Sequence, residues 1–420
     1  MERNKLHRNV KIRILDVFIN SLSSSMYFPF LGIYFASRFG AELTGVVMIL
    51  TVMLGFGAGL YAGYISDIIG RRNILLGAAA ARFFGVLLMV LANTPMFQSA
   101  VITFIAVLII SVCSGITEPV AEAMVIDATA NENRTSVYNL MYWFSNISVA
   151  VGAVVGGFLF STHLLLILMI SLVLSFVSVL LISFCITDTY KPARELEVQS
   201  RFGILKDIGV QYKKVSMDAT FMLFTLATLL FFVLEFQISN YIGVRLAKEL
   251  AWQNLITIGP YHINVDGTRM LGLLNAENTV LVVATTLIIG NMMKRFSGLS
   301  VLIFGLLMYT GGSFILGFSN APILLLAAEF VATIGEIMFW PVRQAYLADL
   351  IPEHARSSYM AVNSLVVRGA SMIAPLFITI GAFVSSFVIS LLYVAIGLLS
   401  IWLFNIAISR ISAVKGRGES

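Results

Sequence analysis

The sequence predicts an all-α membrane protein of twelve transmembrane helices, arranged as two parallel six-helix halves. Three observations carry this prediction: a chain poor in charge, a succession of apolar runs of bilayer length, and a repeat relating the two halves. Of 420 residues only 12% are charged and 59% are hydrophobic, and mean hydropathy is +0.92. Soluble domains carry about 25% charged residues to solvate their surface, so a soluble fold is excluded.

The apolar runs lie at 14–37, 43–65, 74–93, 98–119, 136–160, 163–187, 217–243, 270–292, 299–318, 322–345, 357–381 and 384–408. Each matches the ~20 residues that cross a ~30 Å hydrocarbon core as a helix. The fourth and tenth are expected to continue as helix to Asp127 and Asp349. The N-terminus is basic, but the run after it is too long for a signal peptide and lacks an A-x-A-like site. The chain then divides into an N-terminal half (1–187), a cytoplasmic linker (188–216) and a C-terminal half (217–420). The linker mixes both charge signs and is expected to hold one helix on the membrane surface. The outer stretch Ala247 to Thr268, with Trp252 and Tyr261, is expected at the interface.

Orientation follows from Lys and Arg. With the N-terminus inside, twenty fall in inner segments and four in outer ones, which places both termini in the cytoplasm. The net charge of +5 follows this topology and does not indicate nucleic acid. Cys113 and Cys185 lie in apolar runs and read as small buried hydrophobes. His7, His163, His262 and His354 all lie at ends or in loops, and no phosphate-cradling G-x-x-x-x-G-K-[ST] loop is present. Neither an intramembrane enzyme nor an ATP-driven pump is expected, and no cofactor.

The repeat lies at the inner ends of spans four and ten. Setting 119–138 over 341–360 at a constant offset of 222 aligns Pro119/Pro341, Val120/Val342, Ala123/Ala345, Asp127/Asp349, Arg134/Arg356 and Ser136/Ser358. Spans four and ten are an even number apart, so the halves share one orientation. Two such halves are a secondary-transporter architecture, with a substrate site near the midplane.

The stretch "GYISDIIGRRN" between spans two and three resembles the major facilitator signature G-x-x-x-D-R-x-G-R-R. Gly63, Asp67, Gly70, Arg71 and Arg72 match, and Ile68 replaces a basic residue. "VGAVVGG" (151–157) resembles the antiporter signature of helix five, with Ala153 in place of its proline. "EAMVIDATANENR", "YWFSNISVAVGA", "TIGEIMFWP" and "DGTRML" are similar to the proton-coupled multidrug exporters typified by the lactococcal lincosamide-resistance transporter. The resemblance implies a proton-driven antiporter exporting lipophilic, often cationic, drugs, in a bacterial plasma membrane, among lipids and as a monomer. It also implies an inner latch: Arg71 pairing with Asp127, and Asp67 meeting the N-terminal end of helix eleven after Arg356. That group carries an acid in helix five where this chain has Met141, and another in helix seven where it has Ser239. Glu235, one turn earlier, is the candidate substitute.

Charges inside a bilayer cost roughly 2.5–3.5 kcal/mol each and mark ion or substrate paths. The embedded acids are Asp16, Glu118, Glu122, Glu235, Glu277, Glu329 and Glu336, and the embedded arginines are Arg82, Arg343 and Arg368. Glu329, Glu336 and Arg343 recur every seven residues and form one stripe on helix ten. Glu336 lies 13 residues from Asp349, roughly 20 Å from the inner end and so near the midplane. Glu118 and Glu122 share one face of helix four. Glu336, Glu235, Glu118, Glu122, Glu329, Arg343 and Arg368 are therefore the candidates for proton coupling and substrate contact. Asp16 is expected to reach the inner interface, and Arg82 to be structural. Tyr142, Trp143, Phe231, Phe232, Phe339 and Trp340 could line an adaptable pocket, although packing is the commoner role of such rings. A metabolite symporter and a lipid or glycolipid flippase on the same fold are the alternatives.

Overall fold

The computed structural model describes residues 7–129, 134–187, 215–352 and 356–418. The linker expected to carry a surface helix falls almost wholly outside them. Among the described residues, eleven helices are long and apolar enough to cross a membrane. One of these, Ser136–Cys185, has 50 residues, about 75 Å at 1.5 Å per residue and enough for two crossings. Its backbone leaves helical geometry at His163 (φ −136°, ψ 42°), where spans five and six meet. Counted so, the twelve spans are present.

The helices are α1 Arg8–Ser25, α2 Leu31–Phe39, α3 Ala41–Ile69, α4 Arg71–Leu91, α5 Ala100–Asp127, α6 Arg134–Cys185, α7 Ala219–Glu235, α8 Gly243–Glu249, α9 Gly267–Met293, α10 Gly298–Phe318, α11 Pro322–Leu350, α12 Arg356–Ile373, α13 Leu376–Ile380 and α14 Ser386–Gly418. Span one is α1 and α2, interrupted by a 3-10 turn at Phe28–Phe30 that contains Pro29. Span seven is α7 and α8, joined through a π-helical turn at Ile238–Ile242. The repeat has a structural counterpart. Helices α5 and α11 begin at Ala100 and Pro322, the same offset of 222, and each carries its aligned proline inside the helix. The outer stretch expected at the interface forms a hairpin of β3 Gln253–Ile258 and β4 Tyr261–Val265. A shorter one pairs β1 Asn93–Thr94 with β2 Phe97–Gln98.

The chain forms two compact units. The first comprises Met1–Arg194, Leu246–Gln253 and Asn264–Val280; the second comprises Glu195–Arg245, Asn254–Ile263 and Leu281–Ser420. In the first, α1 packs on α6, and α3 and α4 pack on α5. Leu75, Val120, Met124 and Ile182 form its core. In the second, α10 packs on α11 and α14, and α7 on α12 and α14. Its core is aromatic, built on buried Phe224, Phe231, Phe339, Phe404 and Tyr393. Exposed Phe84, Val173, Phe184, Leu287 and Trp402 give the helices the apolar outer faces a bilayer requires.

Candidate functional site

The turn between α3 and α4 is made by Gly70, whose φ of 96° is readily adopted only by glycine. It brings Arg71 to the start of α4, where the guanidinium ion-pairs with Asp127 at the end of α5. The same Nη1 donates to the Ala123 carbonyl at 2.6 Å. Arg72 Nη2 donates to the Ser183 carbonyl on α6 at 2.6 Å. The Arg71–Asp127 contact implied by the resemblance is thus present. Gly63 and Asp67 lie on α3, but the side chains of Asp67 and Arg356 are outside the described residues.

In the second unit the structure brings together candidates from different helices. The Phe231 and Phe339 rings stack at 3.9 Å between centroids, joining α7 to α11. Glu235 follows Phe231 by four residues, and Glu336 precedes Phe339 by three. The two helices run in opposite directions, so both acids lie on the same side of the stack, about one turn along. Their carboxyl groups are within electrostatic reach of each other. Tyr309 on α10 lies within reach of Glu235, Glu336 and Glu329, and its ring is 4.9 Å from that of Phe231. Glu329 is buried. Glu235 Oε2 is buried with no hydrogen-bond partner among the described residues.

The arginines of this unit are placed differently. Arg343 is 2% exposed, donates through Nη2 to Asn363 Oδ1 on α12, and lies 5.9 Å from the Trp340 ring centre. Arg368 is half-buried on α12. Phe231, Phe232 and Phe339 are buried against one another and serve as packing. Tyr142 and Trp143 on α6 are exposed.

In the first unit Glu118 and Glu122 are both exposed on α5. Glu118 lines a polar cavity together with Asp16 and Arg82. Asp16 is not at an interface: it is 1% exposed and ion-paired with Arg13, itself 4% exposed. Arg82 donates to Ser24 Oγ at 2.8 Å. The sequence reading passed over Arg13, although its i,i+3 spacing to Asp16 in an apolar helix is the signal that marks such a pair. Glu277 on α9 is half-buried, and its Oε2 has no partner among the described residues. No three His, Cys, Asp or Glu side chains converge on a metal-like geometry among the described residues.

The glycines of "VGAVVGG" set close approaches. A Cβ on Gly156 would lie 2.4 Å from the Met26 carbonyl oxygen, and one on Gly157 would lie 2.7 Å from Gly272 Cα. Their absence of side chains lets α6 touch both α1 and α9.

Comparison with known proteins agrees with this geometry. The chain is 28% identical over 409 residues to a Na(+), Li(+), K(+)/H(+) antiporter of Planococcus maritimus, covering 95% of this chain and 96% of the relative. It is 24% identical over 364 residues to multidrug resistance protein MdtH of Edwardsiella ictaluri, covering 84% and 81%. Among solved structures, a peptide transporter POT in complex with sulfate superposes with a TM-score of 0.74 at 14% identity, covering 96% and 95%. The nucleoside transporter NupG superposes with a TM-score of 0.70 at 13% identity, covering 95% and 99%. At such identity the two structures establish the fold alone. Residues 15–263 and 250–419 match the family model of the Major Facilitator Superfamily. With its paired six-helix halves and its charged inner turn, the chain is a multi-pass secondary transporter belonging to the major facilitator superfamily.

Proposed function

We propose that the protein is a proton-coupled cation antiporter of the bacterial plasma membrane, with cytoplasmic termini, working by alternating access. The observation that carries this reading is the Glu235–Glu336 pair, two carboxyl groups within electrostatic reach on facing helices of an aromatic interior. Two negative charges in low dielectric repel, and a bound proton relieves the repulsion. A proton held by the pair in one access state and released in the other couples the gradient to export. Glu329 adds negative charge to the same neighbourhood, and Arg343 and Arg368 supply counter-charge. Gly63, Asp67, Gly70, Arg71, Arg72 and Asp127 form the inner latch that opens and closes with access.

The exported ion in this reading is an alkali-metal cation. The antiporter relative, similar across 95% of this chain, supports it. So does the burial of the Phe231, Phe232 and Phe339 rings in packing, which withdraws them from a drug pocket. A second reading, export of lipophilic cations with antibiotic resistance as its outcome, is favoured by the MdtH relatives and by exposed Tyr142 and Trp143, whose faces suit cation–π contact.

Proteoliposomes with an imposed pH gradient test both. Sodium or potassium should collapse the gradient in the first reading. A fluorescent lipophilic cation accumulating against its gradient would favour the second. Indifference of all three to the pH gradient would sink proton coupling altogether.

A further inference from the structure

The first unit contains a polar chamber that the Glu235–Glu336 pair does not use. Its volume is about 180 Å³, and α1, α4, α5 and α6 all contribute to its lining. Pockets for drug-sized ligands run from about 300 Å³ upwards, whereas a small ion with a few waters fits here. The charged groups facing it are Arg13 and Asp16 from α1, Arg82 from α4 and Glu118 from α5; α6 contributes only hydroxyls and an apolar side chain.

Asp16 is the centre of the chamber's hydrogen bonding. It accepts from Arg13 Nη1, from Ser178 Oγ, and from Asn20 Nδ2 at 2.9 Å. Asn20 Nδ2 also faces Ser178 Oγ at 3.3 Å. The amide nitrogen is therefore turned to Asp16, and Asn20 Oδ1 takes no hydrogen bond among the described residues. Ser175, one turn before Ser178, also lines the chamber. It is 2% exposed and its hydroxyl has no hydrogen-bond partner among the described residues. A buried hydroxyl left unpaired is costly and calls for an occupant. Arg82 is already committed, donating to Ser24 Oγ at 2.8 Å and to the Asn20 carbonyl at 3.5 Å.

We propose that this chamber binds the exported alkali-metal cation, with Asp16 as its charged ligand and Asn20 Oδ1, Ser175 Oγ and Ser178 Oγ as neutral oxygen ligands. Arg13 is a tethered cation that occupies Asp16 while the metal ion is absent. Carboxylate, carbonyl and hydroxyl oxygens suit hard cations, and the chamber's lining offers no imidazole and no thiolate for a transition metal. The proposal rests on the antiport reading and assigns the two coupled ions to different units: the proton to Glu235 and Glu336, the metal ion to Asp16.

The test is thermal unfolding of the purified full-length protein in sodium chloride against choline chloride at equal ionic strength. Sodium should stabilise the wild type. Ser175→Ala should melt in choline at or above the wild-type temperature, because it removes an unpaired buried hydroxyl. Its half-saturating sodium concentration should rise about five-fold, the equivalent of one lost polar contact. Ser178→Ala should shift in the same direction, and Arg13→Gln, freed of the competing guanidinium, in the opposite one. Glu336→Gln should leave the half-saturating concentration unchanged. No sodium-specific stabilisation of the wild type, or unshifted curves in Ser175→Ala and Ser178→Ala, overturns the site. Sodium/proton exchange in vesicles that persists in Ser175→Ala with unaltered apparent sodium affinity also overturns the site and leaves antiport standing. Sodium binding weakened by Ser175→Ala, with no exchange in the wild type, supports the site and overturns antiport.

Discussion

Arg71, the first residue of α4, reaches Asp127, the last residue of α5, and closes an ion pair between the two helix ends. Each charge sits at the helix pole that disfavours it: a cation at an N-terminus and an anion at a C-terminus. Each therefore depends on the other. The Asp127 side chain is 31% exposed, so the pair contributes no more than about 1 kcal/mol to stability. Asp127→Asn should leave the melting temperature nearly unchanged and shift the population of inward-open molecules. Distance distributions between spin labels on α4 and α12 would measure this; identical distributions in mutant and wild type would remove the latch from the mechanism.

The glycines of α6 make a strict steric demand. Gly156→Val places carbon against the Met26 carbonyl and the Phe30 ring, both within 2.5 Å of the new Cβ. Overpacking of this kind costs about 1–3 kcal/mol. Gly77→Ala is the control, since nothing lies within 4 Å of a Cβ there. A lowered melting temperature for Gly156→Val alone is the expected result.

Transport and packing separate along α7 and α11. Glu336→Gln should abolish gradient-driven transport with little change in thermal stability, and Glu235→Gln should weaken it. Phe339→Ala removes a ring that is 0% exposed and stacked on Phe231. It should lower stability by about 3–5 kcal/mol. Pairing vesicle assays with unfolding curves distinguishes the two classes; a Glu336→Gln protein that still exports with full coupling contradicts the assignment.

At the outer end of the second unit, Arg245 is 3% exposed and donates to the Leu316 carbonyl at 3.1 Å, the Ser319 carbonyl at 2.7 Å and Asn320 Oδ1 at 2.8 Å. It satisfies the carbonyls that α10 leaves open at its C-terminus. Arg245→Met should destabilise the fold by roughly 2 kcal/mol, measurable as a fall in melting temperature without a change in proton coupling.

The spans were legible because length and hydropathy alone mark a membrane crossing. The offset of 222 was legible because α5 and α11 keep the same proline and the same terminal acid. Pairing across helices was less so. Glu235 and Glu336 stand out as acids in apolar runs, but only the Phe231–Phe339 stack sets them level. Arg13 was passed over for a physical reason: charge lowers hydropathy, so the first apolar run was drawn from residue 14, between Arg13 and Asp16, whereas α1 begins at Arg8. A helix that opens with its own ion pair hides its start from a hydropathy window.

Spans five and six meet at one non-helical residue, His163, without an intervening loop. A foreign peptide inserted there must break a continuous rod. The hairpin tip at Gly259–Pro260, where Gly259 has a φ of 58° and open space around it, presents no such obstacle. An epitope tag placed at that tip would report which face of the membrane it occupies in intact cells while leaving both helical units unbroken.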